Sequence, residues 1–179
     1  MNYQLHWEIV RALRIPDIPP DIGDRLCRFG LDEWMGGLPW LRRSGLELPF
    51  WDRLKASGAE QVLPPRVRSC IERDAAHNRQ RLAAMREEFR FLINLLDKSR
   101  HTYAVLKGFA LVPDYCPDPT LRNQYDFDVL VRVDDLPSTD ADLRSAGFIR
   151  KRADLTSHPA VYYYGDRKPH LPSKLDGIF

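Results

Sequence analysis

The sequence predicts an α+β protein, in which a helical N-terminal segment and one long helix precede a small sheet. Short apolar-periodic pieces broken by proline and glycine fill about the first 60 residues, and a long run with helical spacing extends from Pro65 to about Ser99. After residue 100, short apolar runs bounded by Gly, Pro and Asp are typical of strands. We therefore expect a helical region over residues 1–100 and an α/β core over residues 101–179.

The composition is that of an ordinary globular protein, with 44% hydrophobic and 29% charged residues in a chain of 179. Its 27 basic and 25 acidic residues give a net charge of +2, so charge supplies no reason to expect a nucleic-acid partner. No apolar stretch approaches the roughly 20 residues that cross a bilayer, and the first residues do not form a signal sequence. We expect a cytoplasmic protein without a membrane partner, whose three cysteines are reduced thiols.

Breakers in the N-terminal region predict short helices joined by turns. They include Pro16, Pro19, Pro20, Gly30, Gly36, Gly37, Pro39 and Pro49. The region also holds several apolar residues and all four tryptophans, which predict a small helical core. These residues are Leu5, Trp7, Ile9, Val10, Leu13, Trp34, Trp40 and Trp51. The alternative is that the tryptophans form a docking surface for a partner protein.

One long helix is predicted from Pro65 to Ser99, because a seam of residues recurs at alternating spacings of four and three. The seam consists of Ile71, Ala75, Asn78, Leu82, Met85, Phe89, Leu92 and Leu96. We interpret Asn78 as a hydrogen-bonded packing residue. The arginines between the seam positions predict a solvated face, and the alternative is an RNA-binding face.

The C-terminal half predicts strands and short helices in alternation. Tyr103 to Leu106 has strand propensity, Phe109 to Tyr115 is long enough for one or two helical turns, and a proline-containing loop follows to Asn123. We expect Phe127 to Val131 to form a buried strand that carries two carboxylates. Beyond it come a helix over Leu136–Ala146 closed by Gly147, a strand start at Phe148-Ile149, and a strand over Val161–Tyr164 followed by a turn at Gly165-Asp166.

Asp126 and Asp128 are the most informative pair of residues. On one strand their side chains point to the same face, and two buried carboxylates need a compensating cation. Mg²⁺ (or Mn²⁺) is a natural candidate, since it is commonly held by one or two carboxylates plus phosphate oxygens. The alternative is a pair of acids at a strand end that face water or pair with Arg122 or Lys107.

Lys107-Gly108 ends the preceding strand, where glycine lets a phosphate approach free backbone N–H groups. A turn glycine with no ligand is the alternative. Together, a phosphate cradle and a carboxylate pair on successive strands are the parts that phosphoryl or nucleotidyl transfer requires. Tyr125 beside the second strand is interpreted as a core residue, with stacking on a base as the alternative.

These elements resemble the uncharacterised nucleotidyltransferase family of bacteria, whose pattern is an apolar strand with Lys-Gly, a short helix, Tyr-Pro-Asp-Pro, an arginine and an Asp-x-Asp-Leu-Val strand. The matching residues are Val105 to Leu111, Tyr115, Pro117-Asp118-Pro119, Leu121-Arg122 and Asp126 to Val131. The resemblance extends over about Leu63 to Phe148. It implies a small mixed sheet of the polymerase-beta-like nucleotidyltransferase type.

In that superfamily paired aspartates hold Mg²⁺ ions that bridge a triphosphate. The resemblance therefore implies that Asp126 and Asp128 are catalytic metal ligands and that the Gly108 backbone cradles phosphates. It also implies that Lys107 and Arg122 serve the nucleotide site, where they neutralise phosphate charge or hold the aspartates in place. A third carboxylate from a later strand is usual, and the remaining acids, Asp154, Asp166 and Asp176, do not clearly supply it. Family members are considerably longer, so we expect the core to lack its C-terminal part, either as a portion of a larger protein or as a naturally shortened member.

Two functions follow from these expectations. The first is a metal-dependent enzyme that moves a nucleoside monophosphate from an NTP to an unknown hydroxyl acceptor. The alternative is a non-catalytic nucleotide-binding or protein-interaction module with a degenerate nucleotidyltransferase fold, which contacts a protein partner through its N-terminal region.

Overall fold

The computed structural model describes residues 3–14, 17–150 and 162–164. Helices occupy most of the chain up to residue 98, and short strands appear only after it, so the predicted α+β class is confirmed. By contacts the chain forms two compact units, which alternate along the sequence. The first contains the described residues of Met1–Glu87 and Lys107–Phe127, and the second those of Glu88–Leu106 and the part after Phe127. The division at residues 100 and 101 that the sequence indicated stays a prediction.

The first unit contains four N-terminal helices: α1 (Tyr3–Ala12), α2 (Ile22–Leu26), α3 (Leu31–Arg43) and α4 (Glu47–Ala56). Their apolar faces surround one core, in which Leu5, Ile9, Trp34 and Phe50 are fully buried. The expected helical core is therefore confirmed. Trp7 and Val10 are exceptions, since they are 64% and 45% exposed on α1.

Three of the expected breakers lie inside α3. Gly36, Gly37 and Pro39 do not end this helix, so the prediction that they separate short helices is wrong here. Gly37 is buried, and a Cβ at this position would come within 2.9 Å of the Leu5 side chain. Close packing of α1 on α3 therefore uses the missing side chain, and tertiary contacts outweigh the low helix propensity of glycine and proline.

The long helix α5 (Pro65–Lys98) begins and ends within one residue of its predicted bounds. Seven of the eight seam residues are buried, and only Phe89 is half-buried. Asn78 is buried among them and hydrogen-bonded, as predicted. Because α5 continues through Glu87 and Glu88, this one helix contributes to both units.

The second unit contains the described strands. β1 (Tyr103–Leu106) pairs antiparallel with β2 (Asp128–Val131), and Leu106 lies opposite Asp128. After α6 (Leu136–Ser145), β3 (Phe148–Arg150) pairs antiparallel with β4 (Tyr162–Tyr164). Both ladders between described strands are antiparallel, and the parallel pairing of a mixed sheet is not found among them.

β2 differs from the strand that the sequence predicted. It begins at Asp128 rather than Phe127, and it is partly exposed, with Leu130 60% accessible to solvent. A two-stranded ladder covers only part of each strand, so alternate residues of β1 and Leu130 of β2 remain exposed. Among the described residues, none of the helices combines the length and the apolarity that a membrane crossing needs.

Candidate functional site

The turn after β1 has an uncommon backbone conformation. Lys107 has φ 51° and ψ −153°, and Gly108 has φ +34°. Residues with a Cβ rarely adopt positive φ, so the chain holds Lys107 against a local strain. Gly108 then begins a 3₁₀ turn over Gly108–Leu111, in which the N–H of Ala110 donates to the carbonyl of Lys107 at 2.7 Å. The turn leaves Lys107 exposed and Gly108 buried.

Gln124 connects this turn to Asp126. A Cβ at Gly108 would overlap the side-chain amide of Gln124, so that amide lies directly against the glycine. The same amide donates from Nε2 to the carbonyl of Asp126 at 3.0 Å. The sequence did not identify Gln124, because a contact with a residue 16 positions earlier has no local signature. The structure thus gives a second reason for glycine at 108, independent of phosphate binding.

Asp126 lies in irregular chain before β2, and its side chain is exposed. Its carboxylate has no ion-pair or hydrogen-bond partner among the residues that the structure describes, so the alternative in which it pairs with Arg122 or Lys107 is not observed. The expectation that both carboxylates are buried on a core strand is wrong for Asp126. Water solvates this group, and no cation is needed to offset its burial.

Asp128 is the first residue of β2 and belongs to the second unit. It is half-buried and lies opposite Leu106 in the ladder with β1. Since Asp126 precedes the strand, the alternation of strand side chains does not fix the relative directions of the two carboxylates. The argument from strand geometry is therefore corrected, while the roles of the two aspartates stay predictions.

Arg122 lies in a loop that is fixed to α5. The buried amide of Asn78 donates from Nδ2 to the carbonyl of Thr120 at 2.7 Å and to the carbonyl of Arg122 at 3.3 Å. The half-buried guanidinium of Arg122 has no partner among the described residues. Arg122 therefore has an anchored backbone and a side chain that remains available to an anion.

Tyr125 and Arg81 form a pair that the sequence did not predict. The guanidinium carbon of Arg81 lies 4.1 Å from the centre of the Tyr125 ring. Tyr125 is 57% exposed, so its interpretation as a core residue is wrong. Arg81 is half-buried and bonded to Asn78 and Asn123, so the interpretation of the α5 arginines as a wholly solvated face does not hold for Arg81.

The donor set agrees with a divalent ion that takes part of its coordination from substrate. Asp126 and Asp128 offer hard carboxylate oxygens, and Mg²⁺ usually keeps waters and phosphate oxygens as its other ligands. No group of three potential metal ligands occurs within the described part of the chain. The acids considered for a third carboxylate, Asp154, Asp166 and Asp176, lie outside the described residues.

A family of known proteins matches most of the chain. The model of a family described as "uncharacterised nucleotidyltransferase" matches residues 32–174. That range contains the Lys107-Gly108 turn, the anchored loop and both aspartates. No curated protein and no solved structure was found to match the chain.

Proposed function

The chain belongs to the uncharacterised nucleotidyltransferase family, and we propose that it transfers a nucleoside monophosphate from an NTP to a hydroxyl acceptor with the help of Mg²⁺ or Mn²⁺. The observation that supports this most directly is the environment of Asp126. Its exposed carboxylate has no partner among the described residues, while Gln124 joins its backbone to the Gly108 turn. The side chain of Gln124 thus contacts both the Gly108 turn and the backbone of the residue that carries this carboxylate.

Asp126 and Asp128 are the residues that would hold the metal in this proposal. When bound, a divalent ion neutralises triphosphate charge and lowers the pKa of an attacking hydroxyl. The carboxylate of Asp126 needs no rearrangement of ion pairs before it binds, because it has none within the described residues. Removal of either carboxylate would leave too few protein ligands for an ion that already relies on substrate oxygens.

Lys107, Gly108 and Arg122 would bind the phosphates. The exposed ammonium of Lys107 supplies a compact positive charge, and the guanidinium of Arg122 supplies a planar fork of N–H donors. Gly108 contributes its backbone at the start of the 3₁₀ turn. The backbone of Arg122 is anchored through Asn78, and the two cations can stabilise the charge that shifts onto the leaving pyrophosphate.

The transfer itself is a displacement at the α-phosphorus. The acceptor oxygen forms a bond to this phosphorus as the bond to the bridging α–β oxygen breaks, and the products are the nucleotidylated acceptor, pyrophosphate and a proton. Catalysis of such a step consists mostly of positioning and charge stabilisation. The hydroxyl acceptor belongs to one of three classes: a small molecule, a protein or an RNA end.

The test is a titration of the purified chain with each of the four NTPs in Mn²⁺, beside the double variant Asp126→Asn, Asp128→Asn. The double variant preserves side-chain size and removes both negative charges. Asp114→Asn is the matched control, because Asp114 is an exposed carboxylate of the same unit that the proposal does not use. Pyrophosphate release is measured in parallel, with acceptors of the three classes added.

We expect saturable, metal-dependent NTP binding in the wild type and in Asp114→Asn, and loss of that binding in the double variant. Equal binding with and without Mn²⁺, or equal binding by the double variant in a folded sample, would contradict the metal-carboxylate site. Absence of NTP binding by a folded wild-type chain would contradict the proposed function as a whole.

A second candidate function is supported by α1. Tyr3, Trp7 and Val10 are spaced by four and three residues, lie on one face of the helix, and are 76%, 64% and 45% exposed. A row of exposed apolar side chains is typical of a surface that contacts another protein. Under this alternative the chain is a non-catalytic module that uses α1 to bind a protein partner.

Turnover distinguishes the two candidates. A non-catalytic module binds NTP without releasing pyrophosphate even in Mn²⁺, and Trp7→Ser would then weaken association with the partner while NTP affinity stays constant. Release of pyrophosphate that depends on Asp126 and Asp128 would favour the enzyme.

A further inference from the structure

Tyr125 immediately precedes Asp126, and its ring is 57% exposed. Single exposed aromatic residues are normal on protein surfaces, so exposure alone does not indicate a role. What distinguishes Tyr125 is the guanidinium of Arg81, 4.1 Å from the ring centre. One side of the ring is therefore covered by a cation, and more than half of the side chain remains accessible to solvent.

Arg81 is held in this position by two asparagines. Its Nη2 donates to Oδ1 of the buried Asn78 and, at 3.5 Å, to Oδ1 of Asn123. The Nε of Arg81 is buried without a hydrogen-bond partner among the described residues, which indicates that the guanidinium position is set by the ring and the asparagines together. A long side chain that is already ordered loses little further entropy when a ligand stacks on its partner.

The backbone on the N-terminal side of Tyr125 is also anchored. Asn78 uses the same side chain to bind the carbonyls of Thr120 and Arg122, so it attaches the loop to α5. On the C-terminal side, Gln124 bonds to the carbonyl of Asp126. Tyr125 is thus an exposed ring on a segment that is fixed on both sides, which is how preorganised binding surfaces are built.

We propose that Tyr125, supported by Arg81, is the platform on which the purine base of the NTP stacks. This inference rests on the proposed function, because it places the triphosphate at Asp126. A base is joined to its triphosphate through a single ribose, so its platform has to lie within a ribose of the metal carboxylates. Tyr125 is next to Asp126 in the chain, and neighbouring Cα atoms are about 3.8 Å apart, so the two side chains start close enough for one nucleotide to reach both.

The chemistry of the pair favours a purine. Every base has a flat face that can stack on an aromatic ring, and stacking strength grows with the area of contact. A purine covers more of the Tyr125 ring than a pyrimidine does. The phenol hydroxyl is not needed for this interaction, so Tyr125→Phe retains the platform and Tyr125→Ala removes it.

The experiment compares two ligands in Mn²⁺: ATP, and inorganic tripolyphosphate, which has the phosphates without the base. We expect Tyr125→Ala to weaken ATP binding by about 5- to 100-fold, the loss typical of one base–aromatic stack, and to leave tripolyphosphate binding within about twofold. Tyr125→Phe binds ATP as the wild type does. Arg81→Met, which removes the cation over the ring together with its bonds to Asn78 and Asn123, causes a smaller loss of ATP affinity with unchanged tripolyphosphate affinity.

A spectroscopic signal tests the stack directly. The fluorescence of 2-aminopurine riboside triphosphate is quenched when its base stacks, so we expect quenching on binding to the wild type and Tyr125→Phe and none with Tyr125→Ala. Tyr115→Ala is the matched control, since Tyr115 is an exposed tyrosine of the same unit, 84% accessible, with no ring or cation partner among the described residues. Thermal unfolding checks that each variant is folded.

The outcomes distinguish a wrong base platform from a wrong nucleotide site. If the wild type binds ATP and Tyr125→Ala binds it equally well, the platform is wrong while the nucleotide site stands. An equal loss of ATP and tripolyphosphate affinity in a folded Tyr125→Ala variant also overturns the platform, because it assigns Tyr125 to the phosphates. A wild type that binds neither ligand overturns the proposed function and the platform with it.

Discussion

The side-chain amide of Gln124 lies where a Cβ at Gly108 would project, and its Nε2 donates to the carbonyl of Asp126 at 3.0 Å. The missing side chain of one residue therefore lets another residue connect two parts of the candidate site. Gly108 leaves the space that the Gln124 amide occupies, and the Gln124 side chain is long enough to bond to Asp126. Each of the two residues can be substituted separately.

Gly108→Ala tests that dependence. The new methyl group displaces Gln124, and alanine has to adopt the φ of +34° that glycine has here. We therefore expect a loss of about 1 to 2 kcal/mol in the free energy of unfolding. Because the overlap is with the end of a flexible side chain, Gln124→Ala in the same chain should restore the steric part and leave the cost of the positive φ. Urea denaturation of both single variants and the double variant measures this coupling. Strictly additive effects would show that the two residues do not interact.

Lys107 offers a matched pair of variants. Its φ of 51° and ψ of −153° suit glycine far better than a residue with a Cβ. We expect Lys107→Gly to be more stable than Lys107→Ala by about 1 kcal/mol, although both lose the ammonium. Both should weaken NTP binding to a similar extent. If the alanine variant is the more stable one, the turn is not strained at this residue.

Asn78 anchors the loop that precedes Asp126. Asn78→Leu has nearly the same volume but leaves the carbonyls of Thr120 and Arg122 without their donor, which we expect to cost about 2 to 3 kcal/mol of unfolding free energy. Hydrogen exchange should also become faster at the backbone amides of residues 120–123. Gln80→Leu is the control, because Gln80 is exposed on the same helix. Equal stability of the two variants would show that the Asn78 bonds are dispensable.

Glu47 makes stability depend on pH near neutrality. Burial and the negative charge of Asp74 together raise the pKa of Glu47 to about 7, although Arg42 opposes both. Because the folded-state pKa exceeds the ordinary value of 4.5, the folded chain binds more protons than the unfolded chain between these values. Unfolding free energy should therefore fall as pH rises from about 4.5 to 7, by about 1 to 3 kcal/mol from this group.

Glu47→Gln is the variant that isolates this contribution. It keeps a neutral side chain beside Arg42 and Asp74 at all pH values, so the difference in stability from the wild type should be small at pH 4.5 and should favour the variant at pH 8. Denaturation curves at several pH values measure it. A wild type that is more stable than Glu47→Gln at pH 8 would contradict the raised pKa.

Asp140 organises the second unit. This buried carboxylate on α6 accepts hydrogen bonds from Tyr162 Oη at 2.6 Å and Arg150 Nη1 at 3.2 Å, and it pairs with Arg144. We expect Asp140→Asn to cost about 3 kcal/mol, since it removes the buried negative charge that Arg150 and Arg144 face. Burial and the bond to Asp140 raise the pKa of Tyr162 to about 12, so ultraviolet titration should show one tyrosine that ionises at lower pH in the variant.

Tyr162→Phe is the companion variant for Asp140. It removes one hydrogen bond and keeps both arginines paired, so a loss of only about 1 kcal/mol is expected. If Tyr162→Phe and Asp140→Asn are equally destabilising, the charge of Asp140 contributes nothing beyond the bond to the phenol.

Local sequence patterns predicted most of the elements correctly. The seam from Ile71 to Leu96 predicted α5 to within one residue, and the apolar run Tyr103–Leu106 coincides with β1. These signals are periodic and local, so they depend on neighbours in the chain. Predictions failed where a distant contact decides: α3 continues through Gly37 and Pro39 because α1 packs closely against it.

In the candidate site, too, some residues were predicted from the sequence and others were found only in the structure. Motif spacing indicated Lys107, Gly108, Asp126 and Asp128, and the family resemblance added Arg122; the family match covers all five. The sequence could not reveal Gln124, the loop partners of Asn78 or the Arg81–Tyr125 pair, because each contact joins residues at least 16 positions apart.

The sequence by itself therefore determined the α+β class, the long helix and the family, because these depend on residue types at fixed spacings. Only the tertiary structure decided that Asp126 is exposed rather than buried on a strand, and that Tyr125 is a surface ring rather than a core residue. The physical reason is that burial depends on what packs against a residue, and that partner lies far away along the chain.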